Sequence, residues 1–330
     1  MDIRILNFDN ININDETYGG MAGAKLGVTI KGENYLLKFP NNLKDNKDRF
    51  GISYSNSPSS EFLGSHIYSM LGIPAHKTFL GKRGNHIVVL CKDFRKSDER
   101  LQEFKEIKTT SEAGVIIDDP HVSDGMGTKL NDILKIIENH RIFRDMRDKV
   151  MNRFWNMFVV DALISNYDRN NGNWGILKDS NGNRRLAPVY DNGNSFFDKW
   201  NEKKFELGER KSEKEKIIGF IQKPGIYTKD NGDRINPYKL ISSMEYDECT
   251  KAVMRLFPRL RDKKDQINDM IDSMPTYNDS QKAYIKDSID TIYMEVLQKT
   301  YEKAKSIDKF ESYRRELLIG RNEKGGNHDR

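Results

Sequence analysis

The side chains best suited to chemistry lie in a loop between residues 166 and 174. The loop reads Asn-Tyr-Asp-Arg-Asn-Asn-Gly-Asn-Trp, with a carboxylate at Asp168 and an amide at Asn173, five positions later. A second carboxylate, Asp191, follows an apolar residue and a tyrosine in the segment Val-Tyr-Asp-Asn-Gly. This order, Asp, four residues, Asn, then a later Asp-x-Gly, is typical of loops that transfer a phosphoryl group.

These three side chains could divide the chemistry of phosphoryl transfer between them. Mg²⁺ prefers oxygen ligands from one or two carboxylates and an amide, completed by phosphates and water. We therefore expect Asn173 and Asp191 to hold the metal and Asp168 to orient the attacking hydroxyl or accept its proton. Asn, Asp and Gly are also ordinary turn residues, so either half of the pattern alone is equally compatible with a simple loop.

Lys38 is a second candidate for the site, because it interrupts the apolar segment Tyr35 to Phe39. A charge in such a strand is costly unless it is paired. Glu61, expected near the start of the next helix, is a candidate partner, and a strand lysine held by a helix carboxylate positions phosphates in kinase-type sites. The alternative is a lysine on an edge strand that points into water.

Small residues upstream could let the backbone approach phosphate groups. The segment Gly-Gly-Met-Ala-Gly-Ala-Lys at 19–25 contains Gly23, Ala24 and Lys25 as candidate nucleotide contacts. It matches neither common phosphate-binding glycine motif, so a plain flexible turn explains it equally well.

These residues require a strand-rich first part that positions Lys38. Alternating segments joined by Gly-containing turns predict two hairpins, 26–39 and 78–90. Between them, Ser59 or Ser60 is expected to cap a helix whose first turn holds Glu61.

Beyond residue 94 the sequence predicts mainly helices. A polar, irregular stretch is expected over 96–128, and a mobile, solvated loop over 197–216 because that segment is dense in charges of both signs. The remaining expected elements are helices at 129–139 and 145–164, a small hairpin within 174–190, and a later helix with a capping box at Asn278 and Gln281.

Composition excludes several classes of protein. The chain has 55 Lys and Arg against 50 Asp and Glu, and this net charge of +5 is too weak to indicate nucleic acid as a partner. It contains no apolar run of the roughly 18 residues that a membrane span needs. Its two cysteines and scattered histidines argue against a disulfide framework and a metal centre built from them. The start lacks the pattern of a signal peptide, so a cytoplasmic location is expected, with signal-less export left open.

The chain resembles the HipA-like serine/threonine kinases, and in particular their short, single-domain bacterial form. The matching stretches are Met21 to Lys25, Leu36 to Pro40, Ser60 to Ile67, Leu71 to Pro74, Asn166 to Gly175 and Ala187 to Asp191.

The resemblance implies an α+β, bilobal, kinase-like fold. It also implies that the protein uses ATP and Mg²⁺. It makes Asp168 the catalytic aspartate, Asn173 and Asp191 the Mg²⁺ ligands and Lys38 the residue that holds the phosphates. It also places Lys92, Asp93 and Phe94 where the hinge between the lobes meets adenine. We expect an N-lobe at 1–90, a hinge at 91–95, a helical C-lobe at 96–319 and a disordered tail at 320–330.

Some residues depart from the family pattern. Asn170 stands where the family usually has a histidine, the glycine-rich loop is short, and the hinge segment matches only at Phe94. Nothing resembles the extra N-terminal subdomain of toxin–antitoxin members, so a DNA-bound antitoxin partner is not implied.

The expected activity is phosphorylation of protein Ser or Thr hydroxyls, including the enzyme's own. One alternative is a phosphoinositide-type lipid kinase, which the mixed charge of residues 198–216 does not favour as a membrane-docking surface. Another is a pseudokinase scaffold that binds nucleotide without turnover, against which the presence of Lys38, Asp168, Asn173 and Asp191 argues.

Overall fold

The computed structural model describes residues 2–16, 18, 24–110, 125–212, 215, 219 and 225–317. Strands dominate the first part of the chain and helices the rest, so the predicted α+β organisation is confirmed. The described strands are β1 (Leu6–Asn7), β2 (Lys25–Ile30), β3 (Glu33–Lys38), β4 (Thr78–Arg83), β5 (His86–Lys92), β6 (Arg100–Glu103), β7 (Gly175–Lys178) and β8 (Arg184–Leu186).

The first five strands form one sheet in the order β1-β4-β5-β3-β2. Both predicted hairpins are present, since β2 pairs with β3 and β4 pairs with β5, in each case antiparallel. Alternate residues such as Val28, Leu37 and Leu90 are buried on one face of the sheet. β3 lies between β2 and β5, so the strand that carries Lys38 is an interior strand.

The described helical segments are a single turn, α1 (Lys47–Phe50), and the longer elements that follow it. These are α2 (Ser57–Met70), α3 (Phe104–Thr109), α4 (Leu130–Asn139), α5 (Arg147–Leu163), α6 (Glu202–Glu209), α7 (Pro237–Ser243), α8 (Asp247–Asp272), α9 (Asp279–Ile292) and α10 (Lys299–Lys305). α5 packs against α8 at the centre of the main core, where Phe154 and Trp155 are buried. No helix in the described part of the chain is long and apolar enough to cross a membrane.

Helix α2 begins earlier than the sequence predicts. Its first residue is Ser57, after Asn56, so the expectation that Ser59 or Ser60 caps it is wrong. Pro58 explains the shift, because proline fits the first turn of a helix, where its missing N–H is not needed. Ser59 and Ser60 are instead buried within the first turn of the helix.

The stretch 96–128 is more ordered than its polar composition suggests. It contains β6 and α3, and β6 pairs with β7 in a three-stranded sheet of order β6-β7-β8. The irregular interpretation is therefore wrong over 100–109, while residues 111–124 lie outside the described part. The apolar ring of Phe104 explains the order, because it is fully buried and stacks on Trp174 with ring centroids 4.1 Å apart.

The prediction of a mobile, solvated loop over 197–216 is also wrong over the residues that the structure describes. It contains α6, whose N-cap Asn201 accepts a hydrogen bond from the backbone N–H of Lys204. Phe205 is buried against Trp200 and Tyr284, and this apolar contact holds a helix whose Glu202, Lys203 and Glu209 are exposed.

The predicted capping box is confirmed at the start of α9. The Asn278 side chain accepts from the backbone of Gln281, and the Gln281 side chain accepts from the backbone of Asn278. Apolar residues of α9 and of the helical turn that follows it, Tyr293–Gln298, are buried: Ile285, Ile289, Ile292, Val296 and Leu297.

We expect Phe104→Ala to lower the free energy of unfolding by about 3–5 kcal/mol, because a large buried ring is replaced by a cavity. Urea denaturation followed by tryptophan fluorescence measures the loss. Phe79→Ala is the matched control, since Phe79 is 39% exposed and its removal should cost far less. Equal losses in the two variants would contradict the role of Phe104 as a core residue.

Candidate active site

Lys38 is the last residue of β3, and its ammonium lies between two carboxylates. Its Nζ atom is 2.6 Å from Oε2 of Glu61 and 2.6 Å from Oδ1 of Asp191. The side chain is only 16% exposed on an interior strand, so the alternative of an edge-strand lysine in water is wrong. Burial by itself lowers the pKa of Lys38, but the carboxylates outweigh it and hold this pKa well above its usual range. Lys38 is therefore a fixed cation.

Glu61 is a fully buried residue of α2, and both of its carboxylate oxygens are engaged. Oε2 accepts from Lys38, while Oε1 accepts from the ring of His76 at 2.9 Å and from the backbone N–H of Asn192 at 2.8 Å. Burial favours the neutral form, but Lys38 and His76 outweigh it and hold the pKa of Glu61 well below its usual range. Glu61 therefore connects the lysine to the loop that carries Asp191.

The loop around Asp191 has an unusual backbone. Asp191 has a φ of 61°, in the left-handed region that residues other than glycine seldom adopt. The loop also packs closely on α2, since a Cβ atom added at Gly64 would lie 2.8 Å from Cβ of Asn192. The side-chain amide of Asn192 donates to Ser65 in the same helix at 3.0 Å. These contacts hold the strained residue with its carboxylate next to Lys38.

Asp168 lies in the predicted loop after α5, with its carboxylate facing the same cavity as Asp191. The amide of Asn194 donates to Oδ2 of Asp168 at 2.7 Å, which fixes the orientation of the carboxylate. Burial raises the pKa of Asp168, and the charge of Asp191 acts in the same direction. A carboxylate held in this way can accept a hydrogen bond from a hydroxyl and take up its proton.

Asn173 and Asp191 offer a donor set that fits Mg²⁺. The Asn173 amide nitrogen donates to the backbone carbonyl of Asp168 at 2.7 Å, so the amide oxygen is the atom left for a metal. Asp191 contributes a carboxylate that is 35% exposed, and both residues line one cavity with Asp168. No three His, Cys, Asp or Glu side chains within the described residues cluster as a metal site of their own. An amide and a carboxylate therefore suit an ion that completes its shell with phosphates and water.

Arg169 fixes the loop that carries Asp168 relative to the loop that carries Asp191. It is 1% exposed and forms a two-pronged ion pair with Asp161 of α5, at 2.9 and 3.1 Å. Its guanidinium also donates to the carbonyls of Asn173 and Tyr190 and to Oδ1 of Asn192. One planar group thus holds the residues that carry, or directly precede, both candidate metal ligands.

Two adjoining cavities meet at these residues. One, of about 470 Å³, is lined by Lys25, Lys38, Asp168, Asn173 and Asp191 among others. Three lysines, Lys25, Lys38 and Lys105, line it beside the candidate metal ligands, and cations are what a polyphosphate requires. Burial lowers the pKa of Lys25, and the neighbouring charge of Lys38 adds to this effect.

The second cavity, of about 390 Å³, continues from the first towards the predicted hinge. Lys92, Asp93 and Phe94 all line it, but the charged ends of the first two are occupied by protein groups. Lys92 pairs with Glu33 at 2.6 Å, and Arg95 donates to the carboxylate of Asp93 at 2.6 Å. Phe94 contacts the ring of Tyr190, with centroids 5.6 Å apart, and the two rings form an apolar wall suited to a flat base.

Comparison with known proteins now identifies the family. The model of the HipA-like C-terminal domain matches residues 17–274. The chain belongs to the HipA-like C-terminal domain family.

This HipA-like chain is similar in sequence to the serine/threonine-protein kinase CtkA of Helicobacter pylori (strain J99 / ATCC 700824). The two are 30% identical over 290 residues, which cover 87% of this chain and 84% of that kinase. The crystal structure of a Helicobacter pylori proinflammatory kinase CtkA matches with a TM-score of 0.81 at 28% identity, over 91% of this chain and 97% of that one. The predicted family and kinase-like fold are confirmed, and by homology the chain is an enzyme of the serine/threonine protein kinase class.

The structure brings most of the predicted site residues of this HipA-like enzyme together. Those that line the two cavities are Lys25, Lys38, Glu61, Lys92, Asp93, Phe94, Asp168, Asn173 and Asp191. Ala24 is exposed ahead of β2, where its carbonyl accepts from the backbone N–H of Phe39, and Gly23 lies outside the described residues.

Sequence reasoning missed His76, Arg169, Tyr190 and Asn194 as parts of the site. Arg169, Tyr190 and Asn194 lie within or just after the two motifs, so a closer reading of those segments could have found them. No sequence pattern points to His76, because only the folded chain brings its ring next to Glu61.

We expect Asp161→Ala to destabilise the protein by about 3–5 kcal/mol, because it leaves the buried guanidinium of Arg169 without its carboxylate. Thermal and urea unfolding measure the change. Asp262→Ala is the control, since Asp262 pairs with Arg261 at the surface, where both side chains are 56% exposed, and should change stability by about 0–1 kcal/mol. A loss for Asp161→Ala no larger than that of the control would show that the buried pair does not hold the loops.

Proposed function

We propose that this chain transfers the γ-phosphoryl group of ATP to Ser or Thr hydroxyls of proteins, with Mg²⁺, and that its own hydroxyls are among the acceptors. The observation that carries the proposal is the placement of Lys38 between Glu61 and Asp191, on the cavity that Asp168 also lines. Phosphoryl transfer needs a cation for the phosphates, oxygen ligands for the metal and a carboxylate for the acceptor, and this cavity presents all three.

Each side chain has a task that follows from its position. Lys38, fixed by Glu61, would hold the phosphates of ATP, and Lys25 adds a second cation on the same wall. Mg²⁺, held by Asn173 and Asp191, would neutralise the charge of the phosphate groups during transfer. The adenine base would lie in the adjoining cavity against Phe94 and Tyr190.

Asp168 would act on the acceptor. With Oδ2 held by Asn194, its other oxygen, Oδ1, can orient the Ser or Thr hydroxyl for attack and receive its proton. Much of the rate enhancement then comes from alignment, because little covalent chemistry is required of the protein.

Asp168→Asn should lower kcat for phosphoryl transfer by about 10²–10⁴-fold, the usual contribution of a positioned general base. Incorporation of γ-³²P from ATP into the enzyme and into added protein measures transfer, and titration with a fluorescent ATP analogue checks that nucleotide still binds. Asp265→Asn is the control, because Asp265 is an exposed residue of α8. Full transfer activity in Asp168→Asn would remove Asp168 from the reaction.

Lys38→Met should weaken ATP binding by about 10–100-fold, which corresponds to the loss of one or two hydrogen bonds to a charged group. The dissociation constant for ATP, measured by calorimetry with Mg²⁺ present, gives the result. Lys77→Met removes an exposed lysine from the same sheet region and should leave ATP affinity unchanged. An affinity for ATP in Lys38→Met equal to that of the control would be incompatible with a phosphate-binding lysine.

A further inference from the structure

Asp168 and Asn194 line two different cavities. One is the cavity of about 470 Å³ that contains Lys38 and Asp191, and the other is a third cavity, of about 340 Å³. These two residues are the ones that the lining sets share, so the hydrogen-bonded pair forms the wall between the cavities. If the phosphates occupy the first cavity, the third cavity gives an acceptor access to Asp168 without crossing the nucleotide site.

The wall of the third cavity combines aromatic rings with one lysine. Phe197 and Trp200 lie with ring centroids 4.6 Å apart, and Tyr167 lines the same space. Trp200 and Lys199 are both partly exposed, so a ligand in the cavity can reach them. An aromatic surface beside a cation suits a peptide segment better than it suits a small, highly charged ligand.

The segment that forms this wall is rigidly held. Phe196 and Phe197 have φ values of 53° and 58°, a left-handed conformation that is unusual for bulky residues. The backbone N–H of Phe196 donates to the carbonyl of Ile164 at 3.0 Å, and that of Trp200 donates to the carbonyl of Phe197 at 2.8 Å. Both phenylalanine side chains are buried, so packing maintains the strained backbone and keeps Lys199 and Trp200 in place.

One cation in the lining of this cavity can pair with an acidic ligand. Three charged side chains line it: Asp168, Asp198 and Lys199. Asp168 is committed to the acceptor hydroxyl, and Asp198 is only 5% exposed. Lys199 is therefore the charge that an incoming side chain meets, and its own field already acts on Asp168, where it opposes the rise in pKa caused by burial.

We propose that the third cavity binds the segment of the protein substrate that carries the acceptor Ser or Thr, and that Lys199 selects substrates with an acidic side chain close to that acceptor. The proposal rests on the proposed kinase function and specifies its substrate class. Lys199 is then a residue that determines specificity, while Phe197 and Trp200 supply the apolar surface on which the segment lies.

The test is phosphorylation of an oriented peptide library in which a central Ser or Thr is flanked by degenerate positions. The wild-type enzyme should enrich Asp or Glu at one or more flanking positions, and Lys199→Met should abolish that enrichment. For a selected acidic peptide, KM should rise about tenfold in Lys199→Met, in line with one hydrogen bond to a charged group, and kcat should change little. Lys203→Met, which removes an exposed lysine of α6 nearby, should keep the wild-type preference.

A charge exchange makes the result specific to this contact. Lys199→Glu should disfavour the acidic peptide and should favour the same peptide with Lys in place of its acidic residue. A wild-type enzyme without acidic preference, or a Lys199→Met variant whose kcat falls equally for acidic and neutral peptides, would overturn the proposal. In the second case Lys199 acts on Asp168 and not on the substrate.

Failure of the proposed function has a different signature. An enzyme that labels itself but phosphorylates no library peptide is a kinase whose third cavity does not accept a short segment, and this outcome overturns the acceptor site alone. An enzyme that transfers phosphate to no acceptor, itself included, overturns the kinase proposal and the acceptor site together.

Discussion

The structure depends on the neutralisation of one buried ammonium. Lys38 lies in the interior of the five-stranded sheet, where a lone charge would cost several kcal/mol. Its two carboxylate partners come from a helix and from a loop more than 150 positions along the chain, at a sequence separation of 153 for Asp191. The sheet, α2 and the Asp191 loop must therefore assemble together, because any one of them without the others leaves a buried charge unpaired.

A second buried cation extends this constraint to the loop that carries Asp168. Arg169 pairs with Asp161 and donates to the side-chain oxygen of Asn192, while the backbone N–H of Asn192 donates to Glu61. The two networks thus meet at one asparagine. The planar, five-donor guanidinium suits this position, since a lysine ammonium could not reach the same set of carbonyls and carboxylate at once. A change in the position of α2 would consequently shift the loops on both sides of the cavity.

Much of this organisation could be predicted from the sequence, and the failures have identifiable causes. Local sequence patterns predicted the motif around Asp168 and Asp191. The cost of an isolated charge predicted the pairing of Lys38 with Glu61. The strand Arg100–Glu103 and the helix Glu202–Glu209 were missed, because each is polar and is held by a single buried ring, Phe104 or Phe205, whose burial depends on distant residues. The role of His76 could not be predicted for the same reason, since its partner is set by tertiary packing.

The left-handed backbone at Asp191 has a consequence for how such a chain can evolve. Glycine adopts this conformation without steric penalty, whereas an aspartate there carries strain of about 1–3 kcal/mol. Selection for folding alone would thus favour glycine at this position, and loss of the carboxylate would also remove one of the two acids that hold Lys38. In a descendant that no longer needs the activity, glycine at position 191 would relieve the backbone strain. The buried Lys38 would then have to be replaced or paired with another acid. Decay of the enzyme would therefore proceed through coupled substitutions at positions 38 and 191, and the two would drift together.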